Sequence, residues 1–144
     1  MNTQDGIALT GKLTISLNNA IVQETENLVV TAGKDWVTGR MKDLSTVMTH
    51  MGIGTGTNAA AAGDTALQTL KSPRVGLTTS GGTVAGSVIT YACTYPAGAH
   101  TDAITEAGIF TAATGGTMLA RTVFTVVNKG ILDSMTISWA ITIS

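Results

Sequence analysis

The sequence predicts an all-β fold: an antiparallel β-sandwich of about eight strands, jelly-roll-like, with one helix inserted early. Three observations predict it. Residues 7–17 and 135–143 alternate apolar and polar side chains with period two. Short apolar segments recur between turn signals rich in glycine and asparagine. The composition suits a pleated surface. Hydrophobic residues make up 44%, glycines number 17, and polarity comes from Thr, Ser and Asn, because charged residues are only 12%. That is about half the usual charged fraction of a soluble domain.

Each element can be justified in chain order. Residues 1–5 are polar and are expected to form a flexible N-terminal arm, leaving residues 6–144 as one domain of ordinary size. In the first strand Ile7, Leu9, Leu13, Ile15 and Leu17 share one parity, which makes that face the buried one. Asn18-Asn19 reads as a turn, and residues 21–30 as a more polar strand. From Thr31 the run TAGKDWVTGRMKDL sets Trp36, Val37, Arg40, Met41 and Leu44 on one side of a helix, with Thr31 as its cap. Gly33 and Gly39 weaken that helix by about 1 kcal/mol each. Docking of Trp36 and Met41 on a sheet is therefore expected to hold it.

Residues 47–53 read as the next strand, opening into the small-residue loop GTGTNAAAAG over residues 54–63. Asp64 is expected to cap a short helical turn containing Ala66, Leu67 and Leu70. Residues 73–79 and 84–95 read as a hairpin about Ser80-Gly81-Gly82, ended by Pro96-Ala97-Gly98. Residues 103–111 and 117–127 read as a second, about Thr114-Gly115-Gly116. Asn128-Lys129-Gly130 turns into the last strand, where Met135, Ile137, Trp139, Ile141 and Ile143 share the inward parity.

The middle strands are apolar on both faces. Met118, Ala120, Phe124 and Val126 lie opposite Leu119, Val123 and Val127, with Arg121 among the latter; Ile104 and Phe110 lie opposite Ala107 and Ile109. A second apolar face must be covered by the helix, by a loop or by another subunit. One helix covers only part of a sheet, so subunit contact is favoured. Leu119, Val123 and Val127 are the expected self-association face, and a trimer is preferred over a dimer.

Residues that would carry chemistry are scarce. With a net charge of −1 and eight scattered basic residues, the chain lacks the electropositive footprint that nucleic acid requires. Lys34, Arg40 and Lys42 are interrupted by Asp35 and Asp43 and read as a solvated helix face. The single cysteine, Cys93, excludes an intrachain disulfide and reads as a buried strand residue. His50 and His100 with one distant Cys do not give zinc-ligand spacing, and a surface cation site at His100-Thr101-Asp102 is the lesser reading. The segment GIGTGT lacks the Gly-Lys-Ser/Thr ending of a phosphate loop, and Thr57 stands where a dinucleotide loop needs its third glycine. No nucleophile elbow or Ser-His-Asp order stands out.

Glu106 is the exception, because it interrupts the apolar run AITEAGIF. A general acid with a raised pKa is one reading. A structural carboxylate, bonded to a backbone turn or paired with Arg121 or Lys129, is the favoured one, since no second carboxylate or base accompanies it. The expectation is therefore a non-enzyme with no catalytic residue, cofactor or metal. No basic-then-apolar leader is evident and no run approaches the ~20 apolar residues of a membrane span, so synthesis and folding in a cytoplasm are expected, without a membrane partner.

Four motifs occur in a set order: Gly52-Ile53-Gly54-Thr55 in GIGTGTNAAAAG, then Asp64-Thr65-Ala66-Leu67, then Glu106-Ala107-Gly108-Ile109-Phe110, then GGTMLARTVF at residues 115–124. In this order they resemble a group of small tailed-bacteriophage virion proteins, in which a G-x-G-T loop, a D-T-A-L turn, an E-A-G-[IL]-F strand and a G-G-T-x-L-A-R-x-x-F strand recur. The resemblance spans roughly residues 28–143. Members look like capsid cement (decoration) proteins or pieces of tail fibres and baseplates. It implies a structural role in the virion, made in the host bacterial cytoplasm. The absence of a fibrous repeat favours a cement protein that self-associates and bridges subunits of the major capsid protein. Gly54, Thr55, Gly56, Thr57 and Asn58 are then the expected capsid-contact loop, with Glu106 as the structural carboxylate. The alternatives are a tail-fibre or baseplate component and, from another class, a carbohydrate-binding adhesin module. Against the last stands an aromatic content of 4%, with Trp139 on a core parity.

Overall fold

A computed structural model describes residues 6–43 and 45–144. The arm expected at residues 1–5 and the helix-face residue Leu44 lie outside the described residues. The chain runs β1 (Leu9–Leu17), β2 (Ala20–Val29), α1 (Thr31–Met41), β3 (His50–Gly54), β4 (Val75–Gly76), β5 (Thr83–Ala85), β6 (Val88–Tyr95), β7 (Asp102–Phe110), β8 (Met118–Lys129) and β9 (Met135–Ile143). The nine strands pair antiparallel in the single order β4-β3-β7-β8-β2-β1-β9-β6-β5. The fold is all-β, as expected, with one strand more than expected and one continuous sheet curled into a half-barrel.

Period-two alternation accounts for the centre of the sheet. Register sets Leu13 beside Trp139 and Trp139 beside Tyr91, and it sets Ile15, Ile137 and Cys93 in the next inward row. All six are buried. Across the core they meet Met51, Ile53, Ile104, Ile109, Leu119, Phe124 and Val127. Curling brings the two ends of the sheet together. The Tyr95 hydroxyl donates to the Met51 carbonyl at 2.8 Å, the Cys93 thiol lies 3.7 Å from the Met51 sulfur, and the Thr78 N–H donates to Ala92 at 2.8 Å. The alternation fails only at the open end of the roll, where Ile7 is 81% and Ile143 45% exposed.

Turn chemistry explains some boundaries and corrects others. Asn18 and Asn19 both take positive φ, the primed turn that suits the twist of a two-residue hairpin. Residues 73–79 and 84–95 do not form the expected hairpin, and only the Thr78–Ala92 backbone bond joins them. β4 pairs with β3 instead, and the real hairpin is β5–β6, turning at Gly86-Ser87 with Gly86 at φ +58°. Gly81 and Gly82, also at positive φ, only redirect the chain between strands. No helical turn follows Asp64; residues 64–69 run irregularly to a bridge of Leu70 with Gly54. Thr31 does not cap α1. Val30 holds the cap position, and the Thr31 N–H donates to the Ala62 carbonyl at 2.8 Å.

The second apolar face is covered by the chain itself. β8 carries extra residues at two register shifts against β7, and past the first of them the inward parity of β7 passes from Ile104 to Ala107 and Ile109, so that Glu106, Gly108 and Phe110 face away from the main core. Leu67 packs there with Phe110 and Met118, beside Val30 and Ala32 at the start of α1. The Arg74 guanidinium stacks 3.5 Å from the centre of the Phe110 ring. Leu119 and Val127 belong to the core, at 2% and 6% exposure, and Val123 is half-buried. The expected self-association face of Leu119, Val123 and Val127 is thus not a free surface. A loop, an arginine and the helix cover what one helix alone would leave bare. Met41, expected to dock on the sheet beside Trp36, instead stands 86% exposed.

Candidate functional site

The long loop between β3 and β4 lies on β7 and β8 over a buried polar knot. Glu106 on β7 is fully buried. Its Oε1 accepts the Thr69 N–H at 2.7 Å, and its Oε2 accepts the Gln68 N–H at 3.0 Å. The same Oε2 accepts Arg121 Nε at 3.1 Å and Nη2 at 2.7 Å. Arg121 stands diagonally across the β7–β8 ladder, opposite Gly108, and is itself 2% exposed. Its Nη1 donates to Asp64 Oδ2 at 2.9 Å and its Nη2 to the Asn58 carbonyl at 3.1 Å. Burial pushes the guanidinium's pKa down, but the bonds and charges of Glu106 and Asp64 outweigh it and hold the group above its ordinary value.

The glycines make room for this carboxylate. A Cβ at Gly54 would stand 2.5 Å from Glu106 Oε1, and one at Gly56 would stand 2.7 Å from Oε2. Side chains at either position would push the loop off the sheet. The Thr105 hydroxyl donates to the Gly56 carbonyl at 2.7 Å, the Asn58 N–H to the Gln68 side chain at 2.8 Å, and the Ala61 N–H to Asp64 Oδ2 at 2.9 Å. The loop is therefore tied from below at five residues, Gly56, Asn58, Asp64, Gln68 and Thr69, while Thr57, Asn58, Ala59, Ala61, Ala62 and Gly63 face outward. Of the contact loop expected from sequence, Thr57 and Asn58 are exposed and Thr55 is half-buried. Gly54 and Gly56 are buried. Their small size serves close packing on Glu106, so they offer no surface to a partner.

The geometry selects the Arg121 pairing for Glu106 and leaves Lys129 to another task. Lys129 is 2% exposed and donates to the carbonyls of Pro96 and Ala99 at 3.0 and 2.7 Å, and burial lowers its pKa. Sequence reasoning missed Asp64 as a partner of Arg121, because a D-T-A-L stretch also fits a helix cap. It missed Arg74 as well, because that residue interrupts no apolar run, and it offered Lys129 only as a partner of Glu106 and not of the Pro96 and Ala99 carbonyls. All four hydrogen bonds to Glu106 come from the chain itself, so the carboxylate has the surroundings of a tether.

The remaining candidates lie apart. His50 is half-buried on β3 beside the Thr49 hydroxyl. His100, at φ +53°, bonds the Pro73 carbonyl through Nε2 and packs edge-on to Tyr95. Cys93 is buried, and desolvation raises its pKa to about 11. Among the described residues no three His, Cys, Asp or Glu side chains converge. No helix among them is long and apolar enough to cross a membrane. Neither a family model, nor a curated protein, nor a solved structure matches the chain.

Proposed function

We propose that the chain is a structural subunit of a tailed-bacteriophage particle, a capsid cement protein that binds its own copies and bridges major capsid subunits through the loop after β3. One observation carries the reading. The four motifs on which the resemblance rests each supply a part of the same knot: G-x-G-T the buried Gly54, with Gly56 just beyond it, D-T-A-L the Asp64 carboxylate, E-A-G-I-F the Glu106 carboxylate, and L-A-R the Arg121 guanidinium. Motifs far apart in the chain thus serve one device, which fixes the shape of an exposed strip of small residues. A pre-shaped strip loses little conformational entropy on docking and lets a partner backbone approach closely. The contact residues in this proposal are Thr57, Asn58 and Ala59 to Gly63.

A finer description of the fold goes with the proposal. β2 joins β8 through only two register pairs, Leu28 with Arg121 and Val29 with Ala120. Beyond them the Gln23 side-chain amide bonds the Thr125 backbone at both its N–H and its carbonyl. We read the roll as a jelly-roll-like sandwich whose two halves are stitched along one side.

An electron-microscopy map of particles containing the protein tests the assignment. Density for it arrayed on the shell supports the cement role. Density at the tail or baseplate supports the sibling reading, and absence from the particle refutes both. Ala59→Trp, on an exposed loop position, should reduce addition to particles at least tenfold and leave the melting temperature unchanged.

A further inference from the structure

We infer that the first turn of α1 is a second support for residues 59–63 of the exposed strip, so that helix and strip hold their shape together. The inference rests on the reading of that strip as the contact surface, and it assigns the strip two positioning residues, Thr31 and Gly33.

The knot grips this span only at its two ends, through the Asn58 carbonyl and the Asp64 carboxylate. Between them, the Ala61 N–H and carbonyl turn back on Asp64, a local turn that does not fix where the strip lies. Among the described residues, one hydrogen bond joins residues 59–63 to an element outside the loop. It is the bond that the Thr31 N–H donates to the Ala62 carbonyl at 2.8 Å.

Helix chemistry explains why that donor is free. The first N–H groups of a helix have no acceptor inside it. α1 has no capping side chain, since Val30 stands at the cap position, and no acidic residue in its first turn. The Val30 N–H goes to the Leu119 carbonyl on β8, and the Thr31 N–H goes to the strip. One turn of helix is thus wedged between sheet and strip. Gly33 sets its distance from the sheet, because a Cβ there would meet the Leu119 backbone. Val30 and Ala32 complete the wedge by packing with Leu67, which belongs to the same loop as the strip. The strip caps the helix, and the helix braces the strip.

Thr31→Pro removes the bond and spares the helix. Proline is favoured at the first helical position, and Val30, at φ −74° and ψ 166°, already has the extended backbone that a following proline requires. The variant should keep its helical circular dichroism. Amide order parameters of Ala59 to Gly63 should fall from about 0.85 to below about 0.6. Those of Gln68 and Thr69, which donate to Glu106, should not change. Thr31→Ala keeps the N–H and should leave the strip as in the wild type. Gly33→Ala pushes α1 off β8 and should loosen the strip as Thr31→Pro does; it carries the test should the proline variant lose its helix. A strip that stays ordered without the bond overturns the inference, and so does equal loosening in Thr31→Ala. Addition to particles is a separate readout. It should fall roughly fivefold or more in Thr31→Pro, since a loose strip loses conformational entropy on docking. A loosened strip with undiminished addition upholds the brace and sinks the contact role, whereas an ordered strip sinks the brace alone.

Discussion

Replacing Gly33 by alanine sets two effects against each other. Gly33 lies inside α1, with no positive φ, and alanine there should add about 1 kcal/mol through helix propensity. The helix, however, rests at that point on the backbone of β8. An added Cβ would press on the Leu119 carbonyl oxygen, with the carbonyl carbon at 2.8 Å and the Cα at 3.0 Å. That carbonyl already accepts the Val30 N–H at 3.3 Å, so neither side can step aside without breaking the tie between the β2–α1 junction and β8. Overpacking of this kind costs about 1–3 kcal/mol, and loss of the hydrogen bond about 1 kcal/mol more. After the propensity gain, Gly33→Ala should be less stable by roughly 1–3 kcal/mol, lowering the melting temperature by roughly 3–12 °C. Urea titration is the assay. Gly63→Ala serves as the control, since nothing lies within 4 Å of its Cβ and its φ is not positive. A Gly33→Ala protein more stable than wild type would refute the docking of α1 on β8, and the fold would then owe its helix to propensity alone.

Glu106→Gln should cost about 3–5 kcal/mol, because an amide NH₂ would face donors from Arg121 and the loop backbone. Pairing it with Arg121→Met in a double-mutant cycle should reveal strong coupling, and additive effects would deny the knot. Cys93 should ignore an aromatic disulfide reagent in native protein at pH 8 and react fully in denaturant, since burial both hides the thiol and raises its pKa to about 11. Fast native labelling would place it elsewhere. Asp133 accepts the Asn18 amide and the Gly130 N–H, which hold its carboxyl below the usual range. A depressed folded pKa means a contribution fully present above the unfolded value, about 4, and lost as pH falls through the folded one. The stability gap between wild type and Asp133→Ala should therefore narrow from pH 7 to pH 2.5, and an undiminished gap would show that the carboxylate charge plays no part.

Local pattern was enough for β1 and β9. Leu13, Ile15, Ile137 and Trp139 alternate with polar residues, and a strand with one wet face has no other way to arrange them. The Asn18-Asn19 turn and the β7–β8 hairpin were legible for the same reason, since their signals are neighbours in sequence. Glu106 was legible as a structural carboxylate because a charge in an apolar strand needs partners. Which partners it has was not, because Asp64, Glu106 and Arg121 meet only when three distant segments pack.

The β5–β6 turn was misplaced because Gly81-Gly82 and Gly86-Ser87 both satisfy turn chemistry, and only pairing with β9 and β3 chooses between them. By itself, then, the sequence determined the strand periodicity, the all-β class and the need to cover a second apolar face on β7 and β8. Tertiary structure alone decided what covers it. Leu67, Arg74 and the start of α1 reach that face from elsewhere in the chain, cover Phe110 and Met118, and leave Ile7, Met41 and Ile143 bare. The physical reason is one of range. Periodicity is set by φ and ψ within a few residues, whereas the choice among apolar surfaces is a competition between contacts of similar energy that only the closed chain resolves.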